Sequence, residues 1–434
     1  MKIVFSARQK GWSRTLVLSA LLVLCPLASA ASGTAEGADT ELVTAQGLFD
    51  EVIYELALNY NGPSQLRAQE LRERFLPQLR RVCAAETVCH SEAAYGLVNQ
   101  MLLALEDDHT YFLTPQEMDY MSALTVGGDT TRSFGMWWRR LEGWGAVITE
   151  VLPGTPADLA GLRPGDLMTH LGQLPLDGEW GMAKLFAAAR SARTAELTFE
   201  RHGRVRTASL AGTLVETPPV SLDMLDDRTA LIRLRTFDSI GVAQDVHNTL
   251  RRAELLGATR AVLDLRGNPG GLVTETMLAT GALTQPAPLR EVTRISTELY
   301  SYDRGRYLTG GQAETGTGTR VFKPQRFTGP LAVLVDTDSA SGAEFMTRDL
   351  LVRPETVVLG ETTAGLADTS SHLILLDDGS ALWVTAAQIQ SQSGQVLGSR
   401  VQPDVPAPRD DAAWVRTGED PQLAAALREL GKLR

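Results

Sequence analysis

The chain has 434 residues, with 41 Lys and Arg against 52 Asp and Glu and a net charge of −11. That length exceeds one ordinary hydrophobic core and divides into two or three units of ~100–200 residues each. With 44% hydrophobic and 21% charged residues the chain is not disordered, and its acidity excludes the basic face that a nucleic-acid or anionic-membrane binder needs.

At the N-terminus, Lys2, Arg8, Lys10 and Arg14 precede an apolar run from Leu16 to Leu27 and the small residues Ala28-Ser29-Ala30. This is the order of a secretory signal peptide, residues 1–30, and the run is short for a ~20-residue membrane span. Export to a periplasmic or extracellular compartment follows, with no stable span after cleavage. Cys25 raises a lipoprotein alternative, although Val23-Leu24 lacks the small residues such sites favour. In an oxidising compartment Cys83 and Cys89 either pair as a disulfide or stay as buried thiols.

A small-residue linker, 31–40, leads to a helical unit over 41–128. Leu48, Val52, Leu56 and Tyr60 recur at i, i+4, the spacing of an amphipathic helix. Helical patterns continue over 65–82 and 91–105, and the unit passes through Asp107-Asp108-His109-Thr110-Tyr111-Phe112 toward Pro115. Residues 130–212 change to strand-like alternation at Ala146-Val147-Ile148, then to Leu152-Pro153-Gly154-Thr155-Pro156-Ala157 and Ala160-Gly161-Leu162-Arg163-Pro164-Gly165-Asp166. This stretch resembles a PDZ domain. The resemblance implies that a peptide C-terminus adds as a strand while backbone N–H groups of Phe134, Gly135, Met136 and Trp137 hold its carboxylate. Trp137 and Trp138 also have a plainer reading as core residues.

From 218 to 410 the pattern is α/β. Leu231 to Leu234 reads as a strand and 241–256 as a helix at the surface, with His247 on it. Ala261 to Leu265, Leu331 to Val335 and Thr356 to Leu359 are continuous apolar strands of the kind buried on both faces. Residues 301–320, rich in Gly and Thr, read as a mobile loop, and 411–434 as a helical tail. No P-loop, zinc spacing or internal repeat occurs, so neither cofactor nor metal is expected.

Two segments could carry chemistry. Arg266-Gly267-Asn268-Pro269-Gly270-Gly271 follows a buried strand, and its glycines can turn N–H groups outward; a plain tight turn is the alternative. Ser339-Ala340-Ser341-Gly342-Ala343-Glu344 follows another, putting a serine at a helix N-terminus where developing negative charge is favoured; an N-cap serine is the alternative.

Together these segments resemble the C-terminal processing peptidases, or tail-specific proteases. Asp264 to Gly271 is similar to that family's glycine motif, and Ser339-Ala340-Ser341 to its nucleophile motif, in which the second serine attacks. Gly360-Glu361-Thr362-Thr363-Ala364-Gly365 and Val401-Gln402-Pro403-Asp404 match two further landmarks. The resemblance implies an α/β protease core with a ClpP/crotonase-like sheet, a PDZ domain and a small helical N-terminal domain. It also implies an oxyanion hole from the N–H groups of Gly342 and of Gly270 or Gly271, and a protein or peptide substrate with a free C-terminus.

One departure bears on activity. The family's general base is a lysine just after the glycine of the third landmark, where this chain has Leu366. Lys323 and Lys432 are the only lysines beyond Lys184. Either another base serves Ser341 or the chain is an inactive member acting as a peptide-binding scaffold; a carrier of small hydrophobic ligands is a more remote third reading. The related tricorn-type peptidases use Ser-His-Glu, and Asp108-His109-Thr110-Tyr111 resembles their histidine site, so His109 is the expected base, with a structural histidine as the alternative reading and His372 as the reserve. Their glutamate has no counterpart at Leu397-Gly398-Ser399-Arg400, which leaves Asp107 or Asp108 to orient the ring. The expectation is an exported serine endopeptidase; oligomeric state has no signature in the sequence.

Overall fold

The computed structural model describes residues 43–107, 109–118, 129–313 and 318–433. The predicted signal peptide and linker, and Asp108, lie outside these. Among the described residues no helix is long and apolar enough to cross a membrane.

Helix α1 (Ala45–Asn59) begins at Thr44, whose hydroxyl accepts the Gly47 N–H at 3.1 Å, satisfying one of the otherwise orphaned donors of a first turn. Helices α2 (Ala68–Val82) and α3 (Tyr95–Leu103) follow, the latter preceded by a 3₁₀ turn over Ser91–Ala94. Cys83 and Cys89 are disulfide-bonded between α2 and α3, with Cα atoms 5.4 Å apart. The apolar stripe Leu48, Val52, Leu56 packs with Leu79, Val98 and Met101. That core is completed from outside the helices by Phe112 of strand β1 (Tyr111–Leu113) and by Leu382 and Val384.

The next unit contains β2 (Asp129–Ser133), β3 (Met136–Leu141), β4 (Gly145–Val151), helix α4 (Pro156–Leu159), β5 (Leu167–Leu171), β6 (Leu174–Pro175), helix α5 (Glu179–Ala189), β7 (Ala195–Arg201), β8 (Arg204–Leu210) and β9 (Thr213–Thr217). Its main sheet runs β3-β4-β5-β7-β8, which leaves β3 on an edge, and β2 pairs with β9. Phe134, Ile148, Met168, Leu185 and Phe199 form a core of its own. Polar ties fix this unit to the rest: Arg139 to Asp411, and Arg235 to Glu150.

The remaining chain builds two sheets. The first runs β10 (Val220–Met224), β11 (Thr229–Leu234), β12 (Arg260–Asp264), β17 (Leu331–Val335), β18 (Thr356–Gly360), β21 (Val405–Pro406), parallel except for β10. Every residue of β17 is buried, as expected of a parallel strand covered on both faces. Helices α6 (Val242–Leu255), α7 (Val273–Thr280) and α8 (Gly342–Leu351) supply residues to the larger core, while α10 (Pro421–Leu430) covers the opposite face through Ala426 and Leu430; the short α9 (Asp411–Thr417) precedes it. The second sheet, antiparallel, has the order β1, β20 (Ala381–Ser391), β13 (Leu289–Val292), β14 (Thr297–Asp303), β15 (Arg306–Thr309), β16 (Gln312–Ala313), with β19 (Thr369–Leu375) also paired to β20.

Two expectations are corrected. Residues 301–320 include ordered strands rather than one mobile loop: Tyr302 and Tyr307 are buried, and the glycines that suggested a loop serve hairpin turns at Gly305 and Gly310. His247, predicted on a surface helix, is fully buried. Its Nε2 lies 3.0 Å from the Leu278 carbonyl and its Nδ1 accepts the Gln325 N–H at 2.8 Å. Burial lowers its pKa, so this histidine is a neutral brace between α6 and the loop before β17.

Candidate active site

In an open parallel sheet, functional groups gather beyond the carboxyl ends of the strands. Here β11 runs out into Thr236-Phe237-Asp238, β12 into the glycine motif, β17 into Ser339-Ala340-Ser341 and β18 into Glu361 to Leu366. Backbone bonds stitch these segments together. Ala340 N–H donates to Asn268 O at 2.9 Å, Ala364 N–H to Ser339 O at 3.0 Å and Phe237 N–H to Gly270 O at 2.7 Å. Ser339 Oγ donates to Leu265 O at 2.8 Å and accepts the Asp336 N–H at 2.9 Å. The first serine of the pair is therefore a structural strut. Arg266 anchors the glycine motif from below through Asp264 (2.7 Å) and Asp420 (2.8 Å).

Ser341 stands between β17 and α8 with φ 48° and ψ −113°, a conformation that costs a non-glycine residue about 1–3 kcal/mol. Glu344, one turn into α8, holds it there. This fully buried carboxylate accepts N–H groups from Ser341 (2.8 Å), Gly365 (2.9 Å) and Leu366 (2.8 Å), together with the Thr363 hydroxyl. Burial raises its pKa despite these donors. Glu344 was not singled out from the sequence, although Ser341-x-x-Glu344 has the spacing of a capping box, which was the available signal.

The glycines divide unevenly. At Gly270, φ 96°, a Cβ would stand 2.7 Å from both Gly342 N and Ser341 Cβ, so only glycine fits against the serine turn. Its N–H, however, is spent on Asn268 Oδ1 at 2.8 Å, which corrects its selection as an oxyanion donor. Gly271 and Gly342 remain: neither N–H has an acceptor among the described residues, and Gly342 opens α8, where the helix dipole adds to its pull on negative charge.

His109 is half-buried just before β1. Its Nδ1 lies 3.0 Å from Thr369 Oγ1, and its carbonyl accepts the Ser371 hydroxyl at 3.3 Å. Thr369 is three residues past Leu366, which is itself bonded to Glu344, so the histidine is anchored to the segment that braces Ser341. Asp107 accepts the backbone N–H of His109 at 3.1 Å and the Thr110 hydroxyl at 2.8 Å, and thus shapes the loop. His372 is placed differently. Along β19 it alternates with Ser371 and Leu373 and so faces away from the His109 contacts; its Nε2 meets Glu291 Oε1 at 3.3 Å, and Glu291 also accepts the Tyr300 hydroxyl. Leu366 keeps the lysine position apolar, with the Arg400 side chain packed over neighbouring Gly365. Lys323 sits beside α6, its carbonyl accepting from Arg251.

In the second unit, Phe134 is buried and the Gly135 N–H is occupied by Ser133 Oγ at 3.1 Å. Met136 begins the edge strand β3, paired to Val151. The adjacent tryptophans separate in role. Trp137 carries the Arg235 guanidinium 4.7 Å above its ring, whereas Trp138 packs 5.0 Å from Phe186 of α5.

Residues 228–407 match the model of peptidase family S41, and residues 119–211 that of the PDZ domain. Carboxyl-terminal-processing peptidase 2, chloroplastic, of Arabidopsis thaliana is 26% identical over 396 residues, covering 85% of this chain and 70% of that protein. The carboxyl-terminal-processing protease of Picosynechococcus sp. is 27% identical over 370 residues, covering 77% and 78%. Among solved structures, the photosystem II D1 C-terminal processing protease superposes with a TM-score of 0.50 at 20% identity, over 90% of this chain and 98% of that one, a likeness of fold.

Proposed function

We propose that this chain, a member of peptidase family S41 with a PDZ domain ahead of its protease core, is an exported serine endopeptidase that cleaves proteins presented by their C-termini. The observation that carries the reading is the strained Ser341 at the start of α8, backed by Glu344 and flanked by the N–H groups of Gly271 and Gly342. Ser341 Oγ attacks the scissile carbonyl, and the two N–H groups take up the oxyanion. His109 accepts the serine proton and returns it to the leaving amine; a water then releases the acyl group by the same route in reverse. With Nδ1 at Thr369, Nε2 is the nitrogen assigned to Ser341. The Thr369 hydroxyl at Nδ1 orients the imidazole for that role. The apolar N-terminal run after basic residues supports export.

The second reading, a scaffold that binds peptides without cleaving them, draws on Leu366 at the lysine position. A serine-reactive fluorophosphonate separates the two. The peptidase reading expects covalent labelling of the mature wild type and none of Ser341→Ala; an unlabelled wild type that also leaves unfolded, C-terminally tagged substrates intact gives the scaffold reading. A separate test addresses the PDZ unit. Peptides ending in an apolar residue with a free carboxylate should bind at least about tenfold more tightly than amidated copies, because only a carboxylate accepts charge-assisted bonds from the turn at Phe134 to Trp137. Equal affinities, measured by fluorescence polarisation, would make that turn structural.

A further inference from the structure

Among the described residues five buried side-chain polar atoms have no hydrogen-bonding partner, and two of them, Asp238 Oδ1 and Tyr111 Oη, belong to segments that border the candidate site. Groups of this kind are rare in folded proteins, because each forfeits its hydration with nothing in return. Asp238 follows Phe237, whose backbone pairs with Gly271 and whose ring would lie 3.3 Å from a Cβ on Gly342. Its other oxygen accepts the Thr236 hydroxyl at 2.8 Å. Tyr111 lies two residues beyond His109 and stacks on Trp383, ring centroids 5.9 Å apart. Asp238 follows a strand of the parallel sheet and Tyr111 opens a strand of the antiparallel sheet, and after burial the charge of Asp238 is what raises the Tyr111 hydroxyl's pKa.

The surroundings of Asp238 are short of positive charge. Desolvation pushes its carboxyl up to about 7, with only the Thr236 hydroxyl opposing. The adjacent Arg235 is committed to Glu150 and to the Trp137 ring. An aspartate beside a nucleophile, stripped of water and left without a cation, is completed by a ligand that brings its own N–H donors and positive charge.

We infer that Asp238 and Tyr111 form a specificity subsite for a basic side chain, lysine or arginine, of the substrate polypeptide near its scissile bond. The inference rests on the peptidase reading for the identity of the ligand. The ammonium or guanidinium donates to Asp238 Oδ1 and to the Tyr111 oxygen, and its aliphatic stem lies along the Tyr111 and Trp383 rings, which keeps the contact in a low-dielectric setting.

The test uses peptide pairs that differ only by lysine or norleucine, an uncharged side chain of nearly the same length, scanned through the positions flanking the cut. At one position wild type should favour lysine in kcat/KM by about tenfold or more. Asp238→Asn should bring that ratio close to one, and Tyr111→Phe should reduce it several-fold. Binding of the same pairs to Ser341→Ala, read by fluorescence polarisation, reports the subsite without chemistry. A lysine preference there that Asp238→Asn removes supports the subsite even if wild type cleaves nothing, an outcome that overturns the peptidase reading alone. Equal dissociation constants for lysine and norleucine at every position, or a preference that survives in Asp238→Asn, overturns the subsite.

Discussion

Replacing His109 with alanine is expected to lower kcat/KM for peptide cleavage by about 10²–10⁴-fold, the usual yield of a positioned general base. Leu366→Ala should stay within a few-fold of wild type. The contrast follows from chemistry. A neutral serine is a poor nucleophile, and the side chain at the lysine position is an alkyl group that can neither accept a proton nor shift one. His109 is tied through Thr369 and Ser371 to the segment that follows Leu366. Steady-state kinetics on the two variants, with circular dichroism to verify folding, decides the matter: activity that survives in His109→Ala makes the histidine a structural residue.

Glu344→Ala should cost more in stability than in any specific contact with substrate. Removal of the carboxylate strands three backbone N–H groups, those of Ser341, Gly365 and Leu366, and the Thr363 hydroxyl inside the protein. At about 1–3 kcal/mol for each buried group left unpaired, partly relieved by relaxation, a loss of about 3 kcal/mol or more is expected. Urea denaturation gives the number, and a midpoint within error of wild type would refute the bracing role. The same loss should lower activity, since Glu344 is the acceptor that fixes the Ser341 N–H in its strained conformation. Glu344→Gln keeps the shape and one acceptor and should be milder. Its effect should also depend on pH with a definite sign. Burial raises the Glu344 pKa, so the folded chain retains that proton where the unfolded chain has lost it. This contribution to stability therefore falls as pH rises from the ordinary glutamate range through the raised value, and Glu344→Gln removes that slope.

The buried strands were legible because their burial on both faces leaves continuous apolar runs: Leu331 to Val335 has the same limits in the sequence reading and in the structure. The helices were legible from their periodicity, with ends displaced by a few residues where a cap or 3₁₀ turn decides the boundary, as at Ser91–Ala94. Ser341 and the glycine motif each had a plain alternative, an N-cap and a tight turn, and the resemblance to the C-terminal processing peptidases is what singled them out. Glu344 was less visible. Its importance comes from donors at 363, 365 and 366, and that proximity exists only after β17 and β18 pair. The loss of Gly270 as a donor has the same origin, since the Asn268 side chain claims its N–H through a turn that local spacing does not specify. His247 misled because a polar residue on an amphipathic helix defaults to the outer face, whereas two backbone partners from distant segments make its burial tolerable. Asp238 drew no attention in the sequence, because an aspartate after a strand is ordinary until its surroundings are dry.

The packing of the N-terminal helices has a thermal consequence. Their apolar stripe is closed by Phe112, Leu382 and Val384, so the strands that hold His109 in register form part of the floor on which α1 and α3 rest. Helices that share their interior with a sheet lose it when the sheet opens, and the two belong to one cooperative unit. The PDZ unit, with Phe134, Ile148, Met168 and Phe199 enclosed among its own strands, has the makings of a second. On heating, the chain is therefore built to come apart in two steps rather than three, and the helical segment cannot be trimmed away as an accessory without unroofing the antiparallel sheet.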